Sequence, residues 1–356
     1  MGESEERLEE NRSIWIGTSN RGFGKLAMNE LSRLFGKVKT QSLSPGDVYR
    51  FEVDMPRDEA LEKIRGNVPI FLRHLQPVDR WLEAPRTVEE ALVSIAESIA
   101  EAGLPLKGRK VAVQARKAEG ATAPIADVAP VDVKRTIDAV LEETYGAIPT
   151  VQDMEFIISV YLTRASTYIG WSQPEENLST WSGGAVHFHK ENGDISRAKF
   201  KLMEAELVFG LDFGDYHSAL DLGAAPGGWS SFLLEKGLRV TAVDPAELHP
   251  ALLRESGLTY LRKNAADVEF PADEFDLLVC DMSWDPVKMA ELVKRLLPSV
   301  SADGLILTTV KLLHGKAFAT LREVESVLEP AATLVNARQL FHNREEITCL
   351  WRKKPS

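Results

Sequence analysis

An acidic residue at the end of an apolar run, followed by small residues and closely spaced glycines, is the chain's strongest chemical signal. The run is Asp221-Leu222-Gly223-Ala224-Ala225-Pro226-Gly227-Gly228-Trp229. Small residues at a strand-to-helix turn let backbone come close to a ligand. The glycine spacing, G-x-x-x-G-G, lacks the second glycine that admits a dinucleotide pyrophosphate, and the Lys-Ser/Thr ending of a nucleotide phosphate loop is also missing. A carboxylate beside such a turn suits S-adenosylmethionine, whose amino acid end carries an ammonium and whose sulfonium is cationic. Asp244 closes the next apolar run, where one carboxylate can accept hydrogen bonds from both ribose hydroxyls. Asn264 follows a third run and can pair with the adenine amino group and ring nitrogen. Taken alone, either acid is as easily a helix cap or a solvated loop residue. Polar groups at three successive strand ends favour a cofactor site of Asp221, Gly223, Ala225, Pro226, Gly227, Gly228, Trp229, Asp244 and Asn264.

The elements needed to hold such a site alternate along the C-terminal half. Strands are expected over 218–222, 239–244, 258–262, 275–281 and 304–310, with helices starting near Trp229, Pro250, Pro286 and Gly315. Strand-helix alternation of this length predicts a doubly wound, Rossmann-like α/β sheet, with ligands beyond the carboxyl ends of its strands. Further toward the N-terminus, strands over 13–17, 49–53 and 70–75 and helices over 25–35 and 57–64 suggest a small ferredoxin-like α+β sandwich lacking one visible strand. Helices over 88–102 and 131–145, with strands over 110–117, 155–162 and 166–171, suggest a second α+β unit. Pro77 and Pro85 mark the break between them. The expected domains are 1–85, 86–190 and 191–356.

Bulk properties set the class. The chain has 356 residues, 44% hydrophobic and 27% charged, in the range of globular proteins. It contains no apolar run long enough to span a bilayer, so no membrane association is expected. Residues 1–12 are rich in Glu, which reads as a frayed acidic tail rather than a secretory signal. The two cysteines, Cys280 and Cys349, lie in apolar stretches and fit buried thiols in a reducing cytoplasm. A net charge of -11 argues against a protein that coats nucleic acid uniformly, but a local basic patch can still engage RNA.

The Asp221–Trp229 motif resembles that of the FtsJ-like ribose 2′-O-methyltransferases, close to D-L-G-x-x-P-G-G-W. The likeness continues through Ser196-Arg197-Ala198-Lys199-Phe200-Lys201-Leu202, Val279-Cys280-Asp281-Met282, Val310-Lys311-Leu312 and Arg344-Glu345-Glu346-Ile347. It implies a Lys-Asp-Lys-Glu tetrad at Lys201, Asp281, Lys311 and Glu346, with Asp281 also facing the cofactor and no metal required. Glu345 competes with Glu346, and Lys199 with Lys201; the framing residues favour Glu346 and Lys201. The branch most similar methylates a cytidine ribose of 23S rRNA and carries ferredoxin-like and THUMP domains before the transferase. The N-terminal 190 residues resemble it more weakly. A ribose hydroxyl is a poor nucleophile, so its proton must be removed while the reacting atoms are aligned. A lysine serves as base only when its surroundings favour the neutral amine. The resemblance gives that role to Lys311, closing a buried strand beside Lys201.

For the RNA partner, Arg109, Lys110, Arg116 and Lys117 cluster on one expected strand, with Lys134 and Arg135 on a nearby helix. A solvated basic face is the bland alternative. Trp171 and Trp181 can stack on unpaired bases, although packing is the commoner use of tryptophan. His187 and His189 lack enough partners for a metal site. Competing functions are a transferase acting on another RNA or on a base, and a catalytically silent RNA-binding protein. The strand end Asp281-Met282-Ser283-Trp284 lacks the Asn/Asp-Pro-Pro-Tyr pattern usual for base amino methylation. An intact tetrad speaks against silence, and the glycine spacing disfavours a dehydrogenase.

Overall fold

The computed structural model describes residues 11–189 and 193–355. The expected acidic tail lies outside the described residues except for its last two. The chain divides into two compact units after Ala185. Among the described residues no helix is long and apolar enough to cross a membrane.

The first unit holds two sheets. Strand β1 (Ser13–Thr18), helix α1 (Gly24–Phe35), β2 (Lys39–Ser44), β3 (Val48–Val53), α2 (Arg57–Gly66) and β4 (His74–Pro77) run in the order β-α-β-β-α-β. Their antiparallel sheet has the strand order β2-β3-β1-β4. The strand not visible in sequence is β2, whose residues Lys-Thr-Gln-Ser-Leu-Ser are mostly exposed at a sheet edge and so carry no apolar alternation. The strand expected over 70–75 begins later, at His74, after a turn.

The second sheet contains β5 (Arg80–Glu83), β6 (Lys110–Lys117), β7 (Ile148–Thr150), β8 (Phe156–Leu162) and β9 (Ser166–Ser172), ordered β5-β9-β8-β6-β7. Helices α3 (Val88–Ala100) and α4 (Pro130–Val140) pack against it over a core that includes Ile95, Val111, Ile137 and Ile158. Thr87 caps α3 through the Glu90 amide. Arg80–Glu83, before the Pro85 break, already pairs with β9.

In the second unit α5 (Lys199–Phe209) precedes a seven-stranded sheet of β10 (Ser218–Leu222), β11 (Arg239–Val243), β12 (Leu258–Leu261), β13 (Phe275–Cys280), β14 (Val300–Lys311), β15 (Ala332–Arg338) and β16 (Glu346–Lys353). Helices α6 (Gly228–Glu235), α7 (Pro286–Leu296) and α8 (Ala317–Leu328) connect strands. The order is β12-β11-β10-β13-β14-β16-β15, parallel through β14, with β16 antiparallel to both of its neighbours. Strand order reverses between β10 and β13, so the crevice beyond their carboxyl ends is the place for a ligand. The helix expected from Pro250 is absent. Only a short turn at Leu252–Arg254 forms there, since Pro245, Pro250 and Gly257 leave too little uninterrupted chain.

Candidate active site

The turn after β10 places backbone, not side chains, at the crevice. Gly223 and Gly227 adopt positive φ values of 76° and 114°. A Cβ on Gly228 would lie 2.3 Å from Ser196 Oγ, so only glycine lets the segment leading into α5 pack on the start of α6. Trp229 fastens the same segment: its indole N–H donates to the Ala198 carbonyl at 2.8 Å, and the ring is buried in the core beside Leu202. The Trp229 side chain organises the site from beneath.

Asp221 is likewise sequestered. It is 1% exposed, and its Oδ2 accepts from Ser230 Oγ at 2.6 Å. Burial pushes its pKa up to about 7 against the Ser230 hydrogen bond, with the Asp281 and Asp244 charges adding to the rise. The folded chain therefore holds this proton more tightly than the unfolded one, whose carboxyl titrates near 3.8. Between those two values the folded state binds more protons, so stability falls as pH rises, by up to roughly 1 kcal/mol per pH unit from this group. Asp221→Asn should flatten that slope in urea melts measured between about pH 4 and pH 7. An unchanged slope would show that Asp221 does not titrate there.

Asp244 braces the loop. Its Oδ2 accepts the Ala225 amide at 3.0 Å and its Oδ1 the Ala246 amide at 2.8 Å. Each oxygen keeps a second lone pair for a ligand hydroxyl. Asn264 is exposed and caps a short turn, its Oδ1 accepting from the Ala266 amide at 3.0 Å. Its amide NH2 is the remaining donor of the side chain. Pro226 accepts the His249 amide through its carbonyl at 2.9 Å.

Beyond β13 and β14 the charged residues converge. Lys201 Nζ lies 3.1 Å from both Asp281 carboxylate oxygens and 2.5 Å from Glu346 Oε1. These side chains are 17%, 19% and 21% exposed, which sets the cluster at a wall partly shielded from water. Asp281 Oδ1 also accepts from Thr309 Oγ1 at 2.7 Å. Lys311, the last residue of β14, sits directly opposite Glu346 in the antiparallel register, so the two side chains share a face. Lys311 is exposed, where a shielded position was expected, and among the described residues it makes no ion pair or hydrogen bond through its ammonium.

Burial alone would push the Lys201 ammonium toward deprotonation, but Asp281 and Glu346 outweigh it and raise its pKa above the ordinary lysine value. Lys201 is thus a fixed cation at neutral pH. The competitors occupy other places. Lys199 pairs with Asp194 and Glu235 at 2.9 Å each. Glu345 is exposed and offers its carbonyl to the Leu312 amide at 2.8 Å.

Sequence reasoning missed Ser230, Thr309 and Glu204, which hold Asp221, Asp281 and the loop before β16, respectively. Hydroxyls in a strand and a carboxylate in a helix carry no local signal for a partner far away in sequence. In the first unit, two of the expected RNA-facing cations are committed. Arg116 donates to Thr18 Oγ1 at 2.9 Å and stacks over Tyr161, and Lys117 caps the Ala126 and Val128 carbonyls. Lys134 and Arg135 pair with Asp138 and Asp132 on their own helix. Arg109 and Lys110 are exposed. Trp171 lies beneath Arg80, and Trp181 is 39% exposed. His187 packs edge-on against Phe341. No group of three or more His, Cys, Asp and Glu with metal-holding geometry occurs among the described residues.

Three curated relatives share the name Ribosomal RNA large subunit methyltransferase M. The one from Methylococcus capsulatus is 34% identical over 202 residues, covering 53% of this chain and 55% of its own length. That from Halorhodospira halophila is 38% identical over 180 residues, covering 49% and 52%, and that from Azotobacter vinelandii 30% over 208 residues, covering 54% and 57%. The chain thus spans about half the length of the curated relatives it matches. Residues 195–332 match the family model of FtsJ-like methyltransferases, a stretch that includes the glycine turn, Lys201, Asp281 and Lys311 and stops before Glu346.

Proposed function

We propose that this protein is an S-adenosylmethionine-dependent enzyme that methylates a ribose 2′-hydroxyl of 23S rRNA, with cytidine the expected nucleoside. The observation that carries the reading is the meeting of Lys201, Asp281 and Glu346 in one ion cluster, with Lys311 opposite Glu346, at the strand ends next to the glycine turn. The name shared by the relatives supports large-subunit rRNA as the substrate.

The residues present fit S-adenosylmethionine. Gly223 and Gly227 leave the turn open to close approach, and Asp244 is braced with lone pairs to spare. Asp244 and Asn264 would hold the ribose and adenine ends, and the backbone of Gly223, Ala225, Pro226, Gly227 and Gly228 would line the path. Asp221 shapes that path through Ser230. Bound there, the group supplies an electrophilic methyl on a cationic sulfur. Lys311 Nζ takes the proton from the acceptor hydroxyl. Lys201, kept cationic by its two carboxylates, stabilises negative charge growing on that oxygen. Asp281, fixed by Lys201 and Thr309, orients the groups at the crevice, and Glu346 aligns Lys201 with Lys311.

The first unit is the RNA-selecting part in this reading, with a ferredoxin-like segment over 1–85 and a THUMP-like segment over 86–190 before the transferase at 191–356. The protein works in the cytoplasm, where its substrate is made, without a resident metal. The test is transfer of labelled methyl to 23S rRNA purified from cells lacking the protein. A 2′-O-methyl blocks alkaline cleavage at its own linkage, so one protected position is expected. Label on a base, or none on rRNA, would refute the assignment.

A further inference from the structure

We propose that Glu204 is a positioning residue for methyl transfer: it clamps the helix that carries Lys201 to the strand entry that carries Glu346. The proposal rests on the reading that these two groups serve the reaction.

Glu204 follows Lys201 by one turn of α5 and is 1% exposed. One of its oxygens accepts the Phe341 amide at 2.7 Å, and the other accepts the His342 amide at 2.9 Å. Both amides belong to the connection between β15 and β16, and Glu346 is the first residue of β16. That connection is tied down internally. Asn343 Oδ1 accepts the Leu340 amide at 2.8 Å and the Thr348 hydroxyl at 3.1 Å, while Gln339 Nε2 donates to the Arg344 carbonyl at 3.1 Å. Its far end is locked to β14 by the Leu312 amide on the Glu345 carbonyl. His342 packs with Phe200, the residue before Lys201, and edge-on against Phe341.

The connection is therefore a stiff bracket with one end at Glu204 and the other at Glu346. A buried carboxylate accepting two amides makes charge-assisted bonds, stronger than those of a neutral acceptor. Lys201 and Glu204 share one helix, so fixing Glu204 against the bracket fixes the 2.5 Å contact between Lys201 and Glu346.

Glu204→Gln keeps the size but leaves one acceptor and turns an NH2 toward the other amide. A shift of about 1 Å at a reacting group costs roughly 100-fold, so a fall in kcat of that order is expected, with S-adenosylmethionine affinity and rRNA KM within about threefold of wild type. Amide exchange at Phe341 and His342 should accelerate. The deciding readout is coupling: Glu204→Gln added to Glu346→Gln should slow the enzyme by no more than about threefold further, because the clamp acts through Glu346. Losses that multiply, or a Glu204→Gln rate within about threefold of wild type, overturn the proposal. Should Glu204→Gln not fold, Glu204→Asp, which keeps the charge with shorter reach, is judged by the same criteria. A wild-type protein that transfers no methyl overturns the functional reading and the clamp together, and is recognised before any variant is made.

Discussion

Lys201→Ala is expected to lower methyl transfer on the order of 1,000-fold while leaving S-adenosylmethionine affinity within a few-fold. The alanine removes the ammonium that Asp281 and Glu346 share in direct contact and leaves two partly shielded carboxylates without it. Removing one partner of such a group is far costlier than the pair was worth, because the remaining charges stay desolvated and uncompensated. The donor site stands mainly on β10, β11 and the glycine turn, while the Lys201 ammonium contacts Asp281 and Glu346, so binding measured by calorimetry separates chemistry from affinity. Transfer within tenfold of wild type would remove Lys201 from the reaction.

The second large effect separates the two lysines. If Lys311 removes the hydroxyl proton, both Lys311→Ala and Lys311→Arg should lose on the order of 100-fold to 10,000-fold in single-turnover rate. Arginine keeps the positive charge but does not give up its proton in proteins, so it cannot act as base. A purely electrostatic Lys311 would be replaced by arginine with a modest loss. The structure favours Lys311 over Lys201 as the base because Lys201 is held cationic by two carboxylates, whereas the Lys311 ammonium has no carboxylate contact among the described residues. Lys311 is exposed in the protein alone, so the acceptor strand itself must exclude water from it. Single-turnover assays with a short rRNA fragment and the full-length domain structure would report this step directly. An active Lys311→Arg variant would reassign the base.

Much of this arrangement was legible from the residues. The glycine turn, its flanking acids and the alternation of strands and helices fix a parallel sheet and a ligand crevice, because local propensity and chain geometry decide both. The choice of Lys201 over Lys199 and of Glu346 over Glu345 came from resemblance alone; in the structure Lys199 pairs with Asp194 and Glu235, Glu345 is exposed, and Glu346 contacts Lys201. The sequence does not show that the Trp229 indole bonds the Ala198 carbonyl or that Arg116 and Lys117 bond Thr18, Ala126 and Val128, since a residue's type reveals its chemistry but not which way its side chain turns.

By itself, the sequence determined the type of fold and the position of the crevice, which follow from short-range pattern, while the tetrad residues were named through resemblance. Only the tertiary structure decided that Lys201, Asp281 and Glu346 touch, that Lys311 faces Glu346, and that Glu204 braces them. Those relations join residues up to 145 positions apart, from Lys201 to Glu346. Strand order, antiparallel register and burial create them, and no local periodicity encodes which distant carboxylate meets which ammonium.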